Sequence, residues 1–273
     1  MRVLAAVALF LGLSPAPQAS TSPTPTPSLA PRATTDPCGG ASRLLATLNR
    51  PTVGYSPCAV APHTTVLEVG YQNTIPGPGA ATAIAAQYPQ GFLRYGLAPR
   101  IEIDVVGPNV TKAGAFDSGV AAKYEFVPSG KFTVALDGIY LAPNGSAALT
   151  AGNATLTANL DASYALNDSV SVGTTLAISS TGGYAANGSH ARYGLFMPSF
   201  VLTKQLRNDV QAYGEYVYAS RIAPDAGGRA FVDYGVQKLF GTRLEVDAEL
   251  GRSVSADAAS AFRYAGFGFG IEF

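Results

Sequence analysis

The stretch "FRYAGFGFGIEF" (262–273) places apolar residues at alternate positions up to its last residue. Successive side chains of a strand point to opposite faces. Ala265, Phe267, Phe269, Ile271 and Phe273 therefore share one face, and Gly266, Gly268, Gly270 and Glu272 share the other. A chain end usually frays unless something ties it down. This one is patterned for burial: its aromatic face suits lipid, and its glycine face suits a strand closing against its neighbours where the lumen is crowded.

The same period of two recurs upstream. In "RLEVDAEL" (243–250), Leu244, Val246, Ala248 and Leu250 oppose Glu245, Asp247 and Glu249. "RIEIDVV" (100–106) sets Ile101, Ile103 and Val105 against Glu102 and Asp104. "LTANLDASYAL" (156–166) and "SVSVGTTLAI" (169–178) alternate likewise, which is the mark of strands. Tight breaks at 98–100, 128–130, 167–169, 207–209 and 241–242 alternate with looser ones near 75–87, 108–114, 142–152, 182–190, 222–228 and 254–260. Short turns alternating with long loops are the layout of an outer-membrane barrel. The count predicts about twelve strands of ~9–13 residues, with both ends on the periplasmic side. The expected fold class is all-β, a transmembrane antiparallel up-and-down barrel over 63–273. A soluble sandwich or lipocalin-like barrel would show the same alternation.

The choice depends on which face looks outward. The polar face carries Glu68, Gln72, Arg94, Glu102, Asp104, Lys123, Glu125, Asp137, Asp161, Glu215, Asp233, Glu245, Asp247, Glu249 and Glu272. Three features favour the membrane arrangement: the terminal strand, the composition and the N-terminus. Charged residues make up 13% of the chain, about half the usual share of a soluble domain. "MRVLAAVALFLGLSPAPQAS" has a basic start, a short apolar run and then small residues and prolines, which reads as a secretory signal over 1–19. A buried N-terminal helix is the alternative, and Pro15 and Pro17 oppose it. There is no Trp, so Tyr95, Tyr140, Tyr218 and Tyr264 are the expected interfacial aromatics.

Residues 20–37 are rich in Pro, Thr and Ser and read as a disordered linker. The segment 38–62 holds the only two cysteines, Cys38 and Cys58, and a turn of helix is expected at 42–48. In an exported chain such a pair is expected to form a disulfide. The stapled segment either folds into the barrel as a plug or hangs in the periplasm.

Lys+Arg and Asp+Glu both number 18, so no global field points to nucleic acid. His63 and His190 are the only histidines, and neither lies in a recognisable nucleophile pattern. "GFGFG" has no following helix and no phosphate-binding Lys. No catalytic residue, cofactor or metal site is expected. The informative constellation is the polar face. Arg94 lies across the 98–100 turn from Glu102 and Asp104, and Lys123 and Glu125 form a second mixed pair. Glu245, Asp247 and Glu249 form an acidic column between Asp233 on the preceding strand and Glu272 on the next. With Glu68 they are the candidate lumen residues, either as a structural ion-pair network or as a wall favouring cations and neutral polar solutes.

"NRPTVGYSP" (49–57), "LEVGYQ" (67–72), "LRYGLAPRIEIDV" (93–105) and "GVAAKYEF" (119–126) follow one another in an order that resembles the outer-membrane transporters labelled "MetA-pathway of phenol degradation". The resemblance covers Asn49 to Phe273 and is strongest in its first third. It departs at Asn49, where members carry an acid before the Arg-Pro, and in the Cys pair. It implies an outer-membrane barrel passing small, including aromatic, molecules, and it brings no catalytic residues. Strand 262–273 also resembles the last strand of bacterial outer-membrane barrels, whose final aromatic residue, here Phe273, is read by the assembly machinery. The expected function is passage of small molecules across the outer membrane, with lipid, assembly machinery and a small solute as partners. A closed barrel with a structural or adhesive role is the alternative.

Overall fold

The computed structural model describes residues 38–39, 42–76, 86–254 and 261–273. The expected signal (1–19) and linker (20–37) lie outside the described residues. The strands are β1 (Thr65–Pro76), β2 (Ala86–Ala98), β3 (Ile101–Val106), β4 (Val110–Thr111), β5 (Gly114–Ala115), β6 (Ser118–Ser129), β7 (Phe132–Ala142), β8 (Thr155–Asn167), β9 (Val170–Tyr184), β10 (His190–Arg207), β11 (Val210–Ala219), β12 (Arg229–Phe240), β13 (Leu244–Ser253) and β14 (Phe262–Glu272). Twelve of them close an antiparallel barrel, each beside its sequence neighbour; β4 and β5 form a small hairpin in the loop between β3 and β6. β14 closes on β1, with Phe269 opposite Val69 and Phe267 opposite Tyr71. The Phe273 amide donates to the Thr65 carbonyl at 2.9 Å, so the two ends of the barrel meet at the seam.

All five tight breaks are hairpin turns at one end of the barrel. Arg100 and Gly241 take left-handed φ values of 69° and 65° there. The barrel strands spread more widely in length than expected, from 6 residues in β3 to 18 in β10. β3 stops before Gly107-Pro108, since proline has no N–H for the ladder. β10 runs long because its pairing with β9 continues unbroken from Lys204–Val170 out to His190–Tyr184.

The alternation resolves into an apolar exterior and an acidic interior. Val105, Leu136, Leu156, Leu202, Phe267 and Phe273 are exposed, whereas Glu68, Glu102, Asp161 and Glu245 are fully buried. Tyr140 and Tyr218 are exposed as expected of interfacial aromatics. Tyr264 corrects that expectation. It is buried, and its hydroxyl donates to Asp233 at 2.8 Å. Its parity explains this, because Tyr264 is in phase with Gly266, Gly268 and Glu272, and that face points inward.

An outward face of this kind makes a direct prediction. Phe267→Arg puts a cation on the exterior at β14, and a lipid-facing Arg costs about 2–4 kcal/mol near the bilayer midplane. The yield of heat-modifiable folded barrel in lipid vesicles is expected to fall, while Phe267→Leu, which keeps the exterior apolar at the same position, leaves it near the parent value. Equal folding of Phe267→Arg and the parent chain would contradict the outward assignment.

Ahead of β1, residues 42–62 form an irregular segment with one short helix, α1 (Arg43–Thr47). Cys38 and Cys58 form a disulfide with Cα atoms 5.4 Å apart. Leu44, Leu45, Leu48 and Val60 of this segment pack with Val66 of β1 and Leu239 of β12 in one buried apolar cluster.

Candidate functional site

An irregular chain has no ladder to satisfy its amides, and a buried N–H without an acceptor is costly. Residues 49–60 meet that requirement with inward-facing side chains of the strands. Glu68 accepts from the amides of Asn49 (3.1 Å) and Arg50 (2.8 Å). Glu215 accepts from Val53 (2.7 Å) and Gly54 (2.8 Å). Thr175 accepts from Tyr55 at 2.8 Å, Glu125 from Ala59 at 3.1 Å and Glu102 from Val60 at 2.6 Å. In the other direction, Lys123 donates to the Ser56 carbonyl at 2.7 Å and Gln237 to the Arg50 carbonyl at 3.1 Å.

Among the described residues twelve carboxylates are buried against two buried cations, Arg94 and Lys123. Part of the missing positive charge comes from the segment. The Arg50 guanidinium lies 3.1 Å from Asp247 and 3.8 Å from Glu249, and donates to Gln90 at 3.0 Å. Burial works against that charge, but Asp247 and Glu249 outweigh it and hold Arg50 above its ordinary pKa. Arg43 pairs with Glu272.

Glycines make the room. A Cβ on Gly70 would sit 2.1 Å from the Arg50 guanidinium, and one on Gly268 2.5 Å from Arg50 Nε. At Gly270 it would meet Leu48 at 2.5 Å, and at Gly266 the Glu249 carboxylate at 2.3 Å. The crowding expected on the glycine face of β14 thus comes largely from the 42–62 segment.

The candidate residues from the sequence are distributed as follows. Arg94 is fully buried and pairs with Glu68 (2.7 Å) and Glu102 (2.8 Å), while Asp104 lies across the ladder from it. Lys123 is 3.9 Å from Glu102, and both Lys123 and Glu125 reach the segment. Asp233 accepts from Tyr264, and Asp247 and Glu249 face Arg50. Glu245 is fully buried on the same face as Asp247, and Glu272 meets Arg43. Sequence reading missed Arg50 and Arg43 as partners, and Glu215 and Thr175 as acceptors. The excess of inward acids was the available signal, because it requires cations or amide donors from outside the strands.

Among the described residues, two cavities lie on either side of the segment. One of about 260 Å³ opens toward the tight turns, near Asn167, Ser169 and Gln205. The other, about 690 Å³, opens toward the long loops, near Pro76, Asn109 and Ile222. Arg50, Thr52 and Tyr55 line both, so this part of the segment stands between them.

No family model and no curated protein matches the chain. Solved structures do. The NanC porin is 10% identical with a TM-score of 0.57, covering 75% of this chain and 98% of its own. The KdgM porin, solved in complex with disordered oligogalacturonate, is 10% identical at 0.55, covering 76% and 99%. An outer-membrane channel from Pseudomonas putida F1 is 13% identical at 0.56, covering 79% and 97%. At these identities the likeness is one of fold: the chain has the architecture of outer-membrane β-barrel channels.

Proposed function

We propose that this chain is an outer-membrane channel for small solutes whose lumen is held shut by its own 42–62 segment. The observation that carries the reading is the layer of Arg50, Thr52 and Tyr55 between two open cavities inside a barrel with an apolar exterior. A barrel that served only as a membrane wall has no need of cavities at both ends. The porin and channel fold supports passage, and it supports residence in the outer membrane with the segment inside the barrel. Phe273 on the outward face of the seam fits the role of terminal residue read during assembly.

The solute follows from the wall. Glu68, Glu102, Asp104, Asp233, Glu245, Asp247, Glu249 and Glu272, against Arg94 and Lys123, favour cations and neutral polar solutes once the segment moves aside. The resemblance to the phenol-pathway transporters begins in the closing segment, at 49–57, and extends the candidates to aromatic molecules. The occupied mid-lumen favours a second reading, a closed structural barrel.

Conductance in planar bilayers separates the two. The disulfide closes the segment on itself over a sequence separation of 20, and a closure of this length restricts the freed chain by roughly 3 kcal/mol. The channel reading expects a low baseline with brief openings in the parent chain, and longer openings with Cys38→Ser and Cys58→Ser together. Electrical silence of both proteins, with the barrel folded by heat-modifiability, favours the closed barrel.

A further inference from the structure

The cavity on the loop side has two unlike walls. One is a row of side-chain amides: Gln90 donates to Gln72 at 2.8 Å, and Asn109 donates to Gln87 at 3.2 Å. The other is aromatic. Phe262 stands 5.6 Å from Phe231 and is stacked on Tyr264 at 6.1 Å. Arg229 lies over the Phe262 ring, its guanidinium carbon 4.4 Å from the centroid.

Arg229 differs from the other inward cations. Arg94, Lys123, Arg50 and Arg43 each have a carboxylate partner. Arg229 has none among the described residues, and its Nε is buried without a hydrogen-bond partner. The two acids of the same cavity are already engaged, Glu68 with Arg94 and Glu249 with Arg50. Among the described residues Arg229 is therefore the cation of this cavity that has no carboxylate beside it. A planar fork of donors held against a ring is suited to one carboxylate, bound by two parallel hydrogen bonds.

We propose that this loop-side cavity is a binding site for a small carboxylate that carries a ring. The carboxylate sits on Arg229, the face of the ring packs against Phe262 and Phe231, and the amide row meets its polar edge. A volume of about 690 Å³ is within the usual range for a small-molecule pocket. A sugar acid and an aromatic acid share this chemistry, because both a sugar C–H face and an aromatic ring pack on Phe. The site would hold its ligand at the loop-side mouth, ahead of the acidic mid-lumen that favours cations and neutral solutes. It does not depend on passage of the acid, since binding can be read without it.

The test is calorimetric titration of the purified full chain in detergent with glucuronate, benzoate, glucose and glucosamine. Glucuronate, benzoate or both are expected to bind at least about tenfold more tightly than the neutral and cationic sugars. Whichever acid binds identifies the ring. Arg229→Gln is expected to abolish that preference, and Arg229→Lys to keep part of it, with heat-modifiability confirming the fold of each. Binding unchanged in Arg229→Gln, equal binding of glucose, or no binding of either acid at millimolar concentration overturns the proposal. A chain that binds an acid this way but passes no current, with or without the disulfide, keeps the site and refutes the channel.

Discussion

Arg50→Ala is expected to raise the open fraction of the barrel about a hundredfold, read as single-channel open time in planar bilayers. Arg50 is the cation that the acidic column on β13 lacks. It contacts Asp247 at 3.1 Å and Glu249 at 3.8 Å, and fits only because Gly70 and Gly268 carry no side chain. Breaking a buried pair from one side costs about 3–5 kcal/mol, because the remaining charge is left buried and uncompensated. The Arg50 side chain keeps 13% of its exposure, so the lower end applies. About 3 kcal/mol corresponds to a hundredfold shift between closed and open states, if the carboxylates regain water when the segment leaves. Arg50→Lys restores the charge without the planar fork and is expected to fall between the two. Gly70→Val reaches the same end from the barrel wall, by filling the slot that the guanidinium occupies. Open times unchanged in both Arg50→Ala and Gly70→Val would show that this pair does not hold the segment.

The second large effect falls on folding. Arg94→Leu is expected to destabilise the barrel by about 3–5 kcal/mol, read as a lower temperature for loss of the compact band on unheated gels. Arg94 is fully buried, and it bonds Glu68, Glu102 and the Thr47 carbonyl at 2.6–2.8 Å. The same two carboxylates accept the amides of Asn49, Arg50 and Val60, so one guanidinium fixes the acceptors that fix the segment. Removing it leaves Glu68 with no cation and Glu102 with only Lys123 at 3.9 Å. Adding Glu68→Gln to Arg94→Leu removes the unpaired charge, and this double variant is expected to recover part of the loss. Lost packing would instead leave the double variant as weak as the single one. An Arg94→Leu barrel that unfolds at the parent temperature would show that the cluster contributes no stability.

These two residues also show how far sequence reading reaches. Arg94 was legible because its partner Glu102 lies across a hairpin, and hairpin neighbours follow from alternation plus a turn. Arg50 was not legible. Its partner Asp247 is 197 positions away, and no local period relates the irregular 49–60 stretch to any strand. Tyr264 shows a different limit: alternation already assigned it to the glycine face, and taking it for an interfacial aromatic set that parity aside. The acids of the inward face were visible as a set. What they do was not, because a carboxylate facing a lumen and a carboxylate capping a buried amide look alike in sequence.

The sequence by itself determined the period, the turns and the partition of each strand into two faces. Those are properties of neighbouring residues in an extended chain, and L-residue geometry sets them. The tertiary structure alone decided that the apolar faces look outward, that β14 closes on β1, and that residues 42–62 meet the inward carboxylates. Each of these depends on groups brought together from distant positions, where the need to pair buried amides and charges selects one arrangement among several that the same alternation allows.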